Sequence, residues 1–310
     1  MIWVGWRQQR TEVLIAAVML AVLAALLIPT GLQMFSAYDH DGLATCLRPD
    51  ASQPCQQAIE DFTSRFEPIS HLIDWITLVP GLIGVLLAAP LTSQFEHGTY
   101  RLDWTQSITR RRWLAGKLGL AIGTALLASA VMVALITWWR TPYVHLHGRV
   151  NNDVFDSEGT VVFGYTLFAF GLATAIGVAW RRAVPALVVA FVAYFASRIF
   201  VDTWLRQRLV SPVTATFAPD RAPDLNRDWV LQEFPSDRLG HPVMPFVPPC
   251  PGGGTCVGPT KPGADVAFMH AVYHPANHFW PLQLIETALF GGAALALIGF
   301  ATWWTMRRMA

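Results

Sequence analysis

Only 14% of the 310 residues are charged and 53% are hydrophobic, with a mean hydropathy of +0.39, whereas soluble domains carry about a quarter charged residues. That balance excludes an ordinary soluble domain and points to an integral membrane protein. A formal charge of +1 over the whole chain provides no basic face, so no nucleic-acid partner is expected.

The chain opens with MIWVGWRQQR, where Trp3, Trp6, Arg7 and Arg10 suit a short amphipathic helix lying in the membrane interface. Apolar runs then recur at the length of about 20 residues that a helix needs to cross roughly 30 Å of hydrocarbon. Six are expected as spans: 13–35, 72–91, 114–139, 161–180, 183–204 and 280–306. The first is too long for a signal-peptide core and no A-x-A site follows it, so it is read as an uncleaved span. Trp138, Trp139, Trp180, Trp204, Trp280, Trp303 and Trp304 fall at run ends, as an interfacial aromatic belt requires.

Arg and Lys set the orientation, because cytoplasmic loops carry their excess. Arg7 and Arg10, the stretch from Arg101 to Lys117, Arg181 with Arg182, and Arg307 with Arg308 all fall on one side if the N-terminus is inside. Both termini are therefore expected in the cytoplasm. The opposite side receives segments 36–71, 140–160 and 205–279, the last rich in Pro and Gly and expected as a large ordered loop that serves as a lid, an exit gate or a passive cap. Cys46 and Cys55 share the first of these segments and Cys250 and Cys256 the last. An oxidising exterior favours two local disulfides, although four cysteines allow three connectivities.

The run SQFEHGTYRLDWTQSITRRRWLAGK, 93–117, gathers Glu96, Arg101, Asp103, Arg110, Arg111, Arg112 and Lys117 between two spans. Gly98 and Thr99 can end a helix and start a turn along the membrane surface, and the arginines either meet a partner's carboxylates or anchor on anionic headgroups. Glu96, Gly98, Thr99, Leu102, Arg110 and Lys117 resemble the pattern E-x-G-T followed by Leu, Arg and Gly-Lys of ABC-2 type ABC transporter permeases. YHPANHFWPLQLIE, leading into the last span, is similar to actinobacterial members.

The resemblance implies an all-α polytopic membrane protein: one transmembrane permease domain over 1–310, with a cytoplasmic coupling helix in 93–113 and an extracellular loop over 205–279. It implies docking of Glu96, Gly98, Thr99, Arg101, Arg110 and Lys117 on an ATPase. It further implies two ATPase copies, a second permease copy forming a homodimer, surrounding membrane lipid, a bacterial plasma-membrane location, and export of a hydrophobic or amphipathic drug, antibiotic or lipid. No G-x-x-x-x-G-K-[ST] occurs, since Gly116 and Lys117 precede Leu118, so no cofactor is expected on this chain. ATP and Mg would belong to the partner.

Ionisable groups inside apolar runs are costly and mark pathways or interhelical pairs. Asp74, Arg198, Asp202 and Glu286 are such groups; a Glu286–Arg198 pair is one expectation, and a gate on the outer part of the route another. His270, His274 and His278 recur every four residues, but Pro275 interrupts the helix that a metal site would need, so no metal is expected. Two other function classes compete: an intramembrane metal-dependent or lipid-modifying enzyme, which needs converging acids and bases in a wet cavity, and a membrane immunity or sensor protein that binds a peptide outside.

Overall fold

The computed structural model describes residues 2–47, 53–105, 109–150, 155–219, 223, 225, 227–239, 241, 243 and 266–308. Helix α1 (Ile2–His40) leads through a 3-10 turn (Leu43–Leu47) to α2 (Gln53–Ile76), α3 (Val79–His97) and the short α4 (Tyr100–Thr105). Then follow α5 (Arg110–His147), α6 (Val161–Trp180), α7 (Ala183–Phe200), a π turn (Val201–Leu205), α8 (Arg206–Leu209), strands β1 (Val213–Phe217), β2 (Trp229–Ser236) and β3 (Phe268–His274), and α9 (Phe279–Arg308).

Six helical stretches are long and apolar enough to cross a membrane: 9–40, 79–97, 110–146, 161–180, 183–209 and 276–308. The count matches the sequence reading; five of the six ranges differ from the expected ones, mostly by extending past the run ends, and two differences alter the architecture. The second span begins at Val79 and not at residue 72, because Thr77 and Leu78 form a turn and Pro80 sits in the first turn of α3, where its missing N–H costs nothing. The apolar run straddles this break, so hydropathy alone cannot see it. The N-terminal segment is no separate interfacial helix either: residues 2–10 continue into α1, with no proline before Pro29 to interrupt the hydrogen-bond ladder.

The chain is mostly helical, but the long segment 205–279 corrects the all-α expectation. It contains a three-stranded antiparallel sheet in the order β1-β3-β2. Val213 faces Tyr273 across one ladder and Trp229 faces His274 across the other, with a bulge between Val230 and Gln232. Cys46 and Cys55 form a disulfide that ties the 3-10 turn to the start of α2. Cys250 and Cys256 lie outside the described residues.

The core is built around α6, the most buried of the six spans, with α3, α5, α7 and α9 packed about it. Its inward positions alternate small and aromatic side chains, including Ala169, Phe170, Ala173 and Tyr165. In lipid, helices gain little from hiding apolar surface and associate through close packing and polar pairs, as where Ser129 Oγ donates to Thr166 Oγ1 at 2.9 Å and Trp139 Nε1 to Thr30 Oγ1 at 3.0 Å. Helix α2 caps the sheet end of this bundle, stacking Phe62 near Tyr38 and Tyr143, whose hydroxyl donates to the Thr63 carbonyl at 3.2 Å.

Candidate functional site

Two polar assemblies sit at opposite ends of the bundle. At the end that carries α4, helix α3 stops at Gly98, whose φ of +69° is left-handed. Nothing lies within 4 Å of where a Cβ would be, so conformation and not space requires glycine. The chain turns back through an Arg101 N–H to Gly98 carbonyl bond of 3.1 Å and forms α4.

An aromatic nest holds α4 against the bundle. Tyr100 lies 5.5 Å from Phe95 and 4.8 Å from Trp104, and Trp104 lies 6.0 Å from Trp113. Arg110 sits 4.4 Å over Trp104, and Lys117 4.7 Å over Trp113 while donating to Gln94 Oε1. Such rings and cations each contribute roughly 0.5–1.5 kcal/mol beyond burial. Arg101, Thr99, Arg111 and Arg112 remain exposed.

Glu96 reaches into the neighbouring turn and not only outward. Its Oε2 accepts the Ala183 N–H at 2.9 Å, which caps the N-terminus of α7 just after the left-handed Arg181. A carboxylate there satisfies an orphan donor and complements the helix dipole. Of the six residues singled out in the sequence, Gly98, Glu96, Arg110 and Lys117 thus shape and brace this end, while Thr99 and Arg101 are exposed, Arg101 with its guanidinium 5.9 Å over the Tyr100 ring.

At the sheet end, five charged groups converge. Arg198 Nη2 lies 2.5 Å from Asp156 Oδ2, and its Nη1 lies 3.5 Å from Glu286 Oε1. Arg206 meets Asp156 through Nη2, Asp202 through Nη1 at 2.6 Å, and Glu286 through Nε at 3.0 Å and Nη2 at 3.1 Å. The Tyr165 hydroxyl sits between Asp156, at 3.1 Å, and Glu286. Arg198 lies 3.5 Å over the Tyr165 ring and Arg206 4.4 Å over Phe155. The Glu286 side chain is 0% exposed and that of Arg206 1%.

Local structure explains why these groups meet. The π turn over Val201–Leu205 widens the helix, a device common where a side chain must be re-aimed, and the Asp202–Arg206 pair spans it. Asp156 comes from the segment before α6, which the Gln283 side chain fixes: its Nε2 donates to the carbonyls of Phe155 (2.9 Å) and Glu158 (3.1 Å), and its Oε1 accepts the Val161 N–H at 3.0 Å. Thr160 and Thr287 add a hydroxyl pair at 2.9 Å. Burial alone would raise the Asp156 carboxyl, but Arg198 and Arg206 outweigh it and hold it below the usual carboxylate range. At Glu158 burial prevails over Arg140, which is 3.2 Å away, and over Arg149, so its value rises.

A cavity of about 150 Å³ lies against this cluster, lined by Asp156, Arg198 and Asp202 together with Leu78, Phe195 and Ile199. Arg198 Nη1 makes no hydrogen bond there. The sequence reading found Arg198, Asp202 and Glu286, and their convergence includes the expected Glu286–Arg198 approach. It missed Arg206, although the spacing 198, 202, 206 marks one helical face, and it missed Asp156, Tyr165 and Gln283. The Asp74 side chain lies outside the described residues.

The histidines separate. His270 Nδ1 pairs with Thr216 Oγ1 at 2.9 Å and its Nε2 with Ser236 Oγ at 2.8 Å, whereas His274 and His278 bring their Nδ1 atoms to 3.2 Å. Among the described residues no group of three or more His, Cys, Asp or Glu is placed to hold a metal ion.

A family model described as ABC-2 membrane transporter related matches residues 17–206, a stretch that runs from α1 through Arg206 and includes α4 and five of the six spans. No curated protein and no solved structure matches the chain. The match covers more than half of the sequence, and with six apolar helices it identifies the chain as a multi-pass permease belonging to the ABC-2 membrane transporter related family.

Proposed function

We propose that this chain is the permease subunit of an ATP-driven exporter that moves a hydrophobic or amphipathic substrate out of the cell, with ATP hydrolysed by a separate ATPase. The observation that carries this reading is α4: a one-and-a-half-turn helix pinned by rings between two spans, with Arg101 exposed in its first turn. A motor that pulls on a permease needs such a stiff handle, because a flexible loop would absorb the movement. The basic loop distribution places this end in the cytoplasm. Two ATPase copies and two permeases then switch the pathway by rigid-body movement of packed helices.

The charged cluster serves as the outer latch of that pathway. Each buried carboxylate is engaged by an arginine, which favours a lock over proton-transfer chemistry, where a base must be left poised for its substrate. Three carboxylates face two guanidiniums, and the links run between the segment before α6, the end of α7 and α9. Opening a route between these elements requires the links to break together. ATP-dependent uptake of a fluorescent amphiphile into inverted vesicles tests the reading. Uptake should require the co-expressed ATPase and fall at least fivefold in Glu286→Gln with assembly intact; transport and assembly both unchanged in that variant would remove the latch.

A further inference from the structure

A second cavity, of about 500 Å³, opens where α5 ends and α9 begins, and its wall includes His145, Arg149, Arg227, Phe279 and Trp280. Two guanidiniums and an imidazole face it, and no carboxylate is among its described lining residues. Arg149 and Arg227 are both exposed. Arg227 Nη2 donates to the His145 carbonyl at 2.6 Å, leaving its other N–H groups without a hydrogen bond among the described residues. The backbone there is closely fitted: Gly148 has φ +77°, and a Cβ on it would stand 2.7 Å from the Arg227 carbonyl oxygen. One arginine is thereby fixed over the end of α5, and the other follows the same turn.

The level of this cavity is set by its helices. The third apolar stretch ends at Leu146 and the sixth begins at Ala276, so the cavity lies where hydrocarbon gives way to headgroups. Trp280, 51% exposed on the lipid-facing side, is placed as interfacial indoles are, and buried Phe279 forms the floor. Guanidinium pairs match the oxygens of a phosphate in a bidentate fork, and a phosphodiester is the anion that occurs at this depth.

We propose that this cavity binds the phosphate of an anionic phospholipid from the leaflet on the sheet side, with the acyl chains leaving past Trp280. A zwitterionic headgroup is a poorer fit, because no carboxylate is among the described lining residues and the adjacent Asp228 already accepts the Ala276 N–H at 2.9 Å. The site requires only that the chain spans a bilayer and does not depend on what the permease carries.

The test is native mass spectrometry of the delipidated full-length chain titrated with phosphatidylglycerol, phosphatidylcholine or inorganic phosphate. One phosphatidylglycerol should be retained per chain, phosphatidylcholine at least tenfold more weakly, and millimolar phosphate should not displace the lipid. Arg149→Gln, an exposed change that leaves folding intact, should weaken retention tenfold or more, Arg227→Gln likewise, and the control Arg208→Gln not at all. Equal retention by wild type and Arg149→Gln overturns the site, equal affinity for both lipids overturns the anionic selectivity, and binding of inorganic phosphate with loss of the lipid overturns the lipid as its occupant.

Discussion

At the residue scale, the sheet-end cluster ranks its own variants. Glu286→Gln leaves two carboxylates facing two guanidiniums and keeps a hydrogen-bonding side chain, so folding should weaken only by about 1 kcal/mol. Arg206→Gln leaves Asp156, Asp202 and Glu286 with a single arginine in a buried setting, and removal of one partner from such a pair costs about 3–5 kcal/mol. Thermal unfolding in mild detergent should therefore rank Arg206→Gln well below Glu286→Gln. The opposite order would contradict the charge arrangement. His274 gives a pH-dependent counterpart. Burial lowers its value below the ordinary 6.5 and His278 adds to this, against the Gln207 backbone. Its contribution to stability is present above pH 6.5 and is lost as pH falls through the depressed value, because the unfolded chain then binds a proton that the folded chain refuses. The protection factors of the Ala271–His274 amides, corrected for the intrinsic pH dependence of exchange, should fall as pH drops below the ordinary 6.5 in wild type, and His274→Gln should remove that fall. Glu286 and Arg198 were legible because a charge within an apolar run is conspicuous. Asp156 was not, since it arrives from a short polar segment whose position is decided by Gln283 in α9, 128 residues from the Phe155 carbonyl that it holds.

At the element scale, Gly98 decides whether α4 exists where it does. Gly98→Ala meets no obstacle, yet a left-handed alanine costs roughly 1–2 kcal/mol. The variant should lose about that much stability and let the segment before α5 fray, read as faster proteolysis near residue 105 with the spans intact. Gly98→Asn should be milder, because Asn tolerates this region. The spans were legible as elements through hydropathy, and the aromatic belt marked most of their ends. The α2–α3 break was hidden because the residues on both sides of Leu78 are equally apolar. The sheet was hidden because its strands, VTATF, WVLQEFPS and FMHAVYH, are short and scattered through a Pro- and Gly-rich stretch, and their pairing is long-range, joining residue 213 to 273. No local period reports such contacts.

At the scale of the whole molecule, the helices around α6 leave broad apolar faces: Leu14, Val18 and Val22 on α1, Val184, Val188 and Val192 on α7, and Leu284, Leu289 and Leu295 on α9 are exposed. Faces of this extent are expected against lipid or a second permease and not against water. An even number of crossings brings both ends of the described chain to the end that carries α4, which gathers the proposed motor contact and the basic loops on one surface. The membrane class and the family were legible in composition and in the EHGTYRL stretch. What that stretch does locally was only half legible, since Glu96 caps α7 while Arg101 stays exposed on α4.

The most direct measurement is affinity purification of the chain from its native membrane, comparing wild type with Arg101→Glu, a surface change that leaves the Glu96 cap and the ring-to-ring contacts of the nest in place and gives up only the guanidinium 5.9 Å over Tyr100. The account predicts an ATPase subunit in equal amount with wild type and at least a tenfold loss of it with Arg101→Glu, while the permease itself elutes unchanged. A wild-type chain that emerges without an ATPase in repeated preparations, or an ATPase held equally by both, would contradict it.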